Sequence, residues 1–219
     1  MAARRPADPA PDLSSLPPSL EALAARGVLR VYRKGTLLIE EGSQGDTLYL
    51  IVGGRVKAFS SDARGREVVY GVYGAGEYFG EMSLDGGPRS ASVMTVEASR
   101  CVLLTRLSLT EHIAVHPEFA FELMARVIRR ARLATQSARS MALLDVYGRL
   151  VQLLESLASQ RADGSRMIEQ RLTHADIAAR VGCSREMVSR LMKDLGRGGF
   201  VRSDHGHLHL GKLPLPRRW

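Results

Sequence analysis

The chain has 219 residues, 45% of them hydrophobic and 25% charged, which suits a soluble globular protein of one large domain or two modest ones. No run approaches the roughly 18 apolar residues that a membrane span needs, so no membrane partner is expected. The formal net charge is +8, and residues 146–219 hold 13 Lys/Arg against 7 Asp/Glu and four of the six histidines, the footprint of a polyanion partner or of a well-solvated surface.

In chain order, residues 1–15 are rich in Ala and Pro with no apolar core segment, and they read as a disordered arm rather than a secretory signal. Residues 16–116 are punctuated by glycine every few positions. Between the glycines lie short β-prone runs at 36–40, 47–52, 56–60, 67–73, 91–97 and 101–105, the pattern of an all-β barrel or sandwich. Cys101 and Cys183 form no CxxC pair and no ligand spacing, so no disulfide framework and no metal site is expected, in keeping with a reducing cytoplasm.

Residues 117–144 change character. From 118 to 141 there is no Gly or Pro, and helix formers dominate. Ala120, Met124, Val127, Ala131, Ala134, Ala138 and Met141 are spaced as an unbroken a/d seam over three heptads. The 3.5-residue period favours a dimer helix over a core helix of one domain, and alanines on the seam would let two helices approach closely.

Residues 145–219 begin with an apolar helical pattern over Val146–Leu157 and a polar loop over 159–165. The segment 173–193 then reads as helix, turn, helix. Thr173 is an N-cap with Asp176 three residues on, Gly182 supplies the turn, and Ser184 caps the second helix. Ile177, Ala178, Val188, Leu191 and Met192 give the pair an inner face. Arg185, Glu186, Ser189, Arg190 and Lys193 face outward, with Arg185 and Glu186 in the turn that enters a major groove in this motif. Arginine grips guanine O6 and N7 and glutamate accepts from cytosine N4, while Ser189 and Lys193 suit backbone or supporting contacts. Residues 200–210 make a β-hairpin wing whose alternating His205, His207 and His209 lack the carboxylate or Cys partners of a metal site.

A second informative stretch is 79–91. Gly80 admits a close backbone approach, and a short turn from Glu81 through Met82 and Ser83 would aim N–H groups at an anion. Arg89 can hold a phosphate by its fork of donors, Ser90 adds another, and Glu81 can accept a ribose hydroxyl. In the opposing reading the loop has lost its ligand and Arg89 pairs with Glu81 or another acid. No G-x-S-x-G, P-loop or metal spacing points to an enzyme.

The run from Val181 to Arg190 closely resembles the recognition segment of the bacterial cyclic-AMP receptor protein / fumarate-nitrate regulator (CRP/FNR) family, and residues 144–149 look like its hinge. Gly80, Glu81, Arg89, Ser90 and Ala91 match the phosphate-binding cassette of cyclic-nucleotide-binding domains. The resemblance covers nearly the whole chain after the arm. It implies an α+β protein: an N-terminal jelly-roll-like β-barrel of the cyclic-nucleotide-binding fold, a long dimerisation helix, and a C-terminal winged helix-turn-helix. It further implies a homodimer, joined by the 118–141 helix, that regulates transcription from near-palindromic double-stranded DNA. Arg185, Glu186 and Arg190 match a TGTGA-type half-site, while Glu186-x-x-Ser189-Arg190 also matches the oxygen-sensor branch, so the half-site stays open. No cysteine precedes Cys101, so an iron–sulfur cluster is not expected, nor haem or metal.

Cyclic AMP is the effector the resemblance implies, with cyclic di-GMP as first alternative and ligand independence as another. Family members that bind cyclic AMP grip the base with adjacent Thr and Ser; here the pair is Ala134-Thr135, leaving Thr135 to act, from the opposite subunit. Residues 159–166 lie where relatives offer a loop to RNA polymerase. The implied mechanism has ligand tightening the helix seam and a hinge near 142–145 reorienting the DNA domains.

Overall fold

The computed structural model describes residues 16–161, 165–211 and 215; the expected arm over 1–15 lies outside them. The chain divides into two compact units, one built from residues up to Phe59 with Gly71–Arg129, the other from Ser60–Tyr70 with Arg130 onward.

Eight strands form the first β region: β1 (Val28–Tyr32), β2 (Leu37–Ile39), β3 (Leu48–Gly53), β4 (Val56–Ser61), β5 (Glu67–Tyr73), β6 (Tyr78–Phe79), β7 (Ser92–Thr95) and β8 (Ser99–Leu104). They make two four-stranded sheets, ordered β1-β8-β3-β6 and β2-β7-β4-β5, with antiparallel pairing of β8 to β1 and β3 and of β7 to β2 and β4. The two-residue strand period explains the core. Leu48, Leu50 and Val52 point to one side with Val102 and Leu104, against Leu20, Leu23, Leu109 and Phe119. Ile51 and Cys101 point to the other, into a cluster with Ile39, Val56, Phe79 and Val93. β3 and β8 are thus covered on both faces, which is why both read as continuous apolar runs rather than alternating ones. Burial pushes the Cys101 thiol up to about 12, so this cysteine is a packing residue rather than a reactive one.

The expectation of β structure throughout 16–116 needs correction. Two helices, α1 (Pro18–Ala24) and α2 (Arg106–Val115), supply the apolar layer outside the first sheet. α1 opens on proline, whose fixed φ suits a first turn, and α2 is capped by Thr105, whose side chain accepts from the Ser108 N–H.

α3 (Glu118–Leu143) is 26 residues long, and among its described residues Phe119 alone is buried. Met124, Val127 and Met141 of the seam are exposed, as are Ala131, Ala134 and Ala138. Phe121 and Ile128, both exposed, occupy the heptad column beside the seam, and Thr135 continues that column. The apolar face is therefore wider than a strict a/d stripe. No helix among the described residues is long and apolar enough to cross a membrane.

The second unit contains α4 (Val146–Leu157), β9 (Ser159–Gln160), β10 (Arg166–Ile168), α5 (His174–Val181), α6 (Arg185–Arg197), β11 (Val201–Asp204) and β12 (His207–Leu210). Its sheet runs β11-β12-β10-β9. Leu150, Leu154, Ile168, Ile177, Val188 and Leu195 are fully buried in one core. The polar segment after α4 is not merely a loop: Gln160 and Ser159 pair with Arg166 and Met167, while residues 162–164 of the expected polymerase-facing segment lie outside the described residues. At the start of α4 the Asp145 carboxylate accepts from the Gly148 N–H at 2.7 Å. Arg149 then donates to two carbonyls, Leu144 and Val181, both at 2.8 Å, fastening the residues after α3 to the end of α5.

Candidate functional site

The helix-turn-helix is built from local signals that the side chains honour. Thr173 accepts from the Asp176 N–H at 3.1 Å and Asp176 accepts from the Thr173 N–H at 2.8 Å, a reciprocal capping box. Gly182 has φ +72°, a left-handed stop that only glycine reaches without strain, and its N–H donates to Ala178 at 2.9 Å. Ser184 accepts from the Met187 N–H at 3.2 Å and starts α6. Val188, Met192 and Leu195 are buried beneath, while Arg185, Glu186, Arg190 and Lys193 are exposed and Ser189 is half-buried. The first-turn N–H, the Ser184 hydroxyl and Arg185 hold the Glu186 carboxyl below its usual range, so it stands ready as an acceptor. Thr173 and Ser184 both use their hydroxyl oxygens as helix caps.

The wing closes on His205 and Gly206, with φ +47° and +83°. Two consecutive positive φ values are the signature of a tight hairpin turn matched to strand twist. Two side chains at this surface escape sequence reasoning. His174 Nδ1 lies 2.8 Å from Ser189 Oγ, and the Arg171 side chain lies against Gly206 of the wing turn, 3.6 Å from where a Cβ would stand. Both are contacts between separated elements that no local spacing announces. Among the described residues no group of three His, Cys, Asp or Glu side chains is placed to hold a metal ion.

The second candidate site centres on Arg89, which is 7% exposed. Nη1 donates to the Gly80 carbonyl at 2.9 Å and Nη2 to the Thr47 carbonyl at 3.0 Å. Its main chain is pinned as well, with Arg89 N–H donating to Ser43 at 2.9 Å and Gly42 N–H donating to Arg89 at 2.8 Å. Burial lowers the pKa of Arg89, with Tyr49, Asp46 and Glu81 opposing, yet guanidinium remains a cation in proteins. Among the described residues its guanidinium hydrogen bonds go to these two carbonyls, with the Asp46 and Glu81 carboxylates near enough to act on it through their charge. A buried cation held by two carbonyl dipoles still has three of its five N–H donors to offer.

Gly80 is also required by the loop itself. Its φ is +90°, and a Cβ there would stand 2.7 Å from the Thr47 carbonyl and 2.8 Å from Arg89 Nη1. The glycine is demanded by the fold of the loop and by the seat of Arg89, before any ligand is considered. Gly45 is similar, for a Cβ would stand 3.0 Å from Nη2. Glu81–Ser83 form a single 3₁₀ turn with Glu81 and Ser83 buried and Met82 exposed. The Ser83 hydroxyl donates inward to Gly80 at 3.2 Å, leaving its backbone as the part on offer, and Ser90 is exposed, its hydroxyl 3.4 Å from Met82 Sδ. Ala91 is half-buried. Thr135 is exposed on α3 and donates to its own helix at the Ala131 carbonyl, 3.0 Å away, so its oxygen keeps lone pairs to accept with.

Residues 29–116 match the model of the cyclic nucleotide-binding domain, and residues 148–213 that of the Crp-like helix-turn-helix domain. The CRP-like cAMP-activated global transcriptional regulator of Mycobacterium tuberculosis is 33% identical over 175 residues, 78% of each chain. The cAMP-activated global transcriptional regulator CRP of Escherichia coli is 32% identical over 196 residues, 86% of this chain and 91% of that one. This chain belongs to the CRP/FNR family of transcription regulators.

Among solved structures, the c-di-GMP-responsive global regulator CLP of Xanthomonas campestris superposes with a TM-score of 0.77 at 25% identity, over 89% of this chain and 98% of that one. The CRP/FNR fold thus assigned combines a cyclic-nucleotide-binding domain with a DNA-binding helix-turn-helix, and its members are regulators rather than enzymes. Arg89 and its loop lie inside the first matched range, and the capped helix pair α5–α6 inside the second.

Proposed function

We propose that this CRP/FNR-family regulator acts as a homodimer, joined along residues 118–141, whose reading of a near-palindromic operator is switched by a cyclic nucleotide, cyclic AMP foremost. Residues 16–116 form the sensor, 117–144 the dimer helix and hinge, and 145–219 the reader, working in the cytoplasm beside RNA polymerase. Arg185, Glu186 and Arg190 read base edges, Ser189 and Lys193 support them, and Thr173 and Ser184 fix the two helices. The effector phosphate is held by Arg89, Ser90 and the backbone of Gly80, Met82, Ser83 and Ala91, the ribose by Glu81, and the base by Thr135 of the opposite protomer.

The observation that carries the effector reading is the buried Arg89 guanidinium, whose hydrogen bonds among the described residues go to two carbonyls. Removing such a charge from water costs several kcal/mol, which an anion docking on the remaining donors offsets. The Thr135 oxygen, an acceptor in this rotamer, suits an adenine amino group. The relatives named as cAMP-activated favour cyclic AMP; the CLP structure keeps cyclic di-GMP as the second candidate.

The ligand needs tighter binding to the DNA-competent state, and the Arg149 bridge between the Leu144 and Val181 carbonyls gives a path from the end of α3 to the turn of the reader. Titration calorimetry with cyclic AMP, cyclic GMP and cyclic di-GMP tests the reading. One nucleotide per chain, lost with Arg89→Ala, supports it; no binding of any of the three overturns it.

A further inference from the structure

Two arginines hold the two ends of one short segment, residues 76–80. Arg126 of α3 donates from Nη2 to the Gly76 carbonyl at 3.1 Å, and its guanidinium carbon lies 4.4 Å from the centre of the Tyr78 ring. Arg89 donates from Nη1 to the Gly80 carbonyl at 2.9 Å. Both end residues are glycines in the left-handed region, with φ +81° at Gly76 and +90° at Gly80. Between them lies β6, whose Tyr78 and Phe79 are fully buried.

Buried rings do not move without their neighbours, because a close-packed interior transmits strain. Phe79 stacks on Tyr49 at 4.8 Å, and Tyr78 meets Phe119, the buried residue of α3, at 6.1 Å. The segment is therefore a stiff piece between two glycine pivots, one in the effector loop and one against the dimer helix. An anion drawing on the remaining donors of Arg89 reorients the guanidinium, and the Gly80 carbonyl that it holds follows. The far end of the segment then shifts against Arg126. Both contacts of Arg126 have short reach: a hydrogen bond weakens steeply as its angle closes, and a cation over a ring face acts within about 6 Å of its centre.

We propose that Arg126 is a positioning residue of the switch: through Gly76 and Tyr78 it couples occupancy of the Arg89 site to the setting of α3. The inference rests on the effector reading, in which Arg126 itself touches neither nucleotide nor DNA. Arg126 also lies off the a/d seam, so replacing it leaves the seam residues in place.

Coupling is reciprocal, so one factor describes how cyclic AMP raises operator affinity and how operator raises cyclic AMP affinity. It is measured on the full-length chain by titrating an operator recovered by selection, with and without saturating cyclic AMP. The wild-type factor falls in the range of about 5–150. Arg126→Met keeps an apolar stem and loses the fork. It binds cyclic AMP in the absence of DNA within about threefold of the wild type, while the coupling factor falls at least about fivefold, the size of one charge-assisted hydrogen bond. Arg126→Lys keeps the charge but not the planar group that bonds and stacks at once, so it restores only part of the factor. Urea unfolding checks that each variant is folded; if Arg126→Met is not, Arg126→Lys carries the test, with a factor at least about twofold below the wild type. A wild-type factor of one, a factor unchanged in the folded variants, or cyclic AMP affinity lost with the factor intact overturns the assignment and leaves nucleotide binding standing. A wild-type chain that binds neither cyclic AMP nor cyclic di-GMP overturns the effector reading, and the assignment with it.

Discussion

Replacing Arg89 by methionine separates a ligand-binding arginine from a structural one. The two hydrogen bonds to Gly80 and Thr47 carbonyls are charge-assisted, each worth about 1.5–3 kcal/mol, so their loss removes roughly 3–6 kcal/mol. Against that stands the penalty for burying the guanidinium, several kcal/mol, which methionine of similar reach does not incur. The Gly80 carbonyl also keeps its Ser83 donor, which softens the loss. The terms nearly cancel, so the ligand-free protein with Arg89→Met unfolds in urea within about 1.5 kcal/mol of the wild type, the scale of one net hydrogen bond. Binding behaves differently. Removing one partner of a buried charge pair costs about 2–5 kcal/mol, so affinity for the cyclic nucleotide falls at least about 30-fold by calorimetry. A variant destabilised by more than about 3 kcal/mol with affinity unchanged would refute the reasoning, because Arg89 would then be a brace for two carbonyls and nothing more.

Gly80→Ala forces a β-carbon into a φ of +90° and against the Thr47 carbonyl at 2.7 Å, so thermal unfolding registers a loss of about 2 kcal/mol or more; an unshifted midpoint contradicts the loop geometry. Arg185→Ala relaxes selectivity at one base pair by about 1–3 kcal/mol in competition binding, whereas Lys193→Ala weakens all duplexes alike and lowers the salt slope by about one. His112, fully buried with neither ring nitrogen hydrogen-bonded among the described residues, has its pKa lowered by burial, with His116 and Arg26 adding to the effect and Glu118 and Glu122 opposing. The unfolded chain therefore takes the proton first: the contribution is complete above about pH 6.5 and is lost as pH falls through that value toward the lower folded one. Urea midpoints compared at about pH 7.5 and about pH 5.5 fall further in the wild type than in His112→Leu; equal falls contradict the assignment.

The reader was legible because its signals are local. Thr173 with Asp176, Gly182 and Ser184 each act within four residues, and caps and left-handed stops leave the same marks in a sequence as in a structure. The strands were legible where both faces are buried, as at Leu48–Gly53 and Ser99–Leu104, since long apolar runs between glycines leave few alternatives. α2 escaped because its buried Leu109 and His112 share the helix with exposed Leu107 and Val115, which blurs the helical period. α1 was hidden behind prolines that also serve as breakers. β9 is two exposed polar residues, held by β10 rather than by its own pattern. The partners of Arg89 and Ser189 could not be read at all: Thr47 is 42 residues from Arg89, and His174 is 15 from Ser189, so only the closed fold brings them together.

The central claim is that two copies of the chain, loaded with a cyclic nucleotide, read a two-fold DNA site through α6. Titration of a labelled operator recovered by selection, with the mass of the complex determined by sedimentation, tests it most directly. The account predicts two chains per duplex and a preference of at least about 10³ over scrambled DNA when cyclic nucleotide is present. One chain per duplex, or equal affinity for operator and scramble at saturating nucleotide, would contradict it.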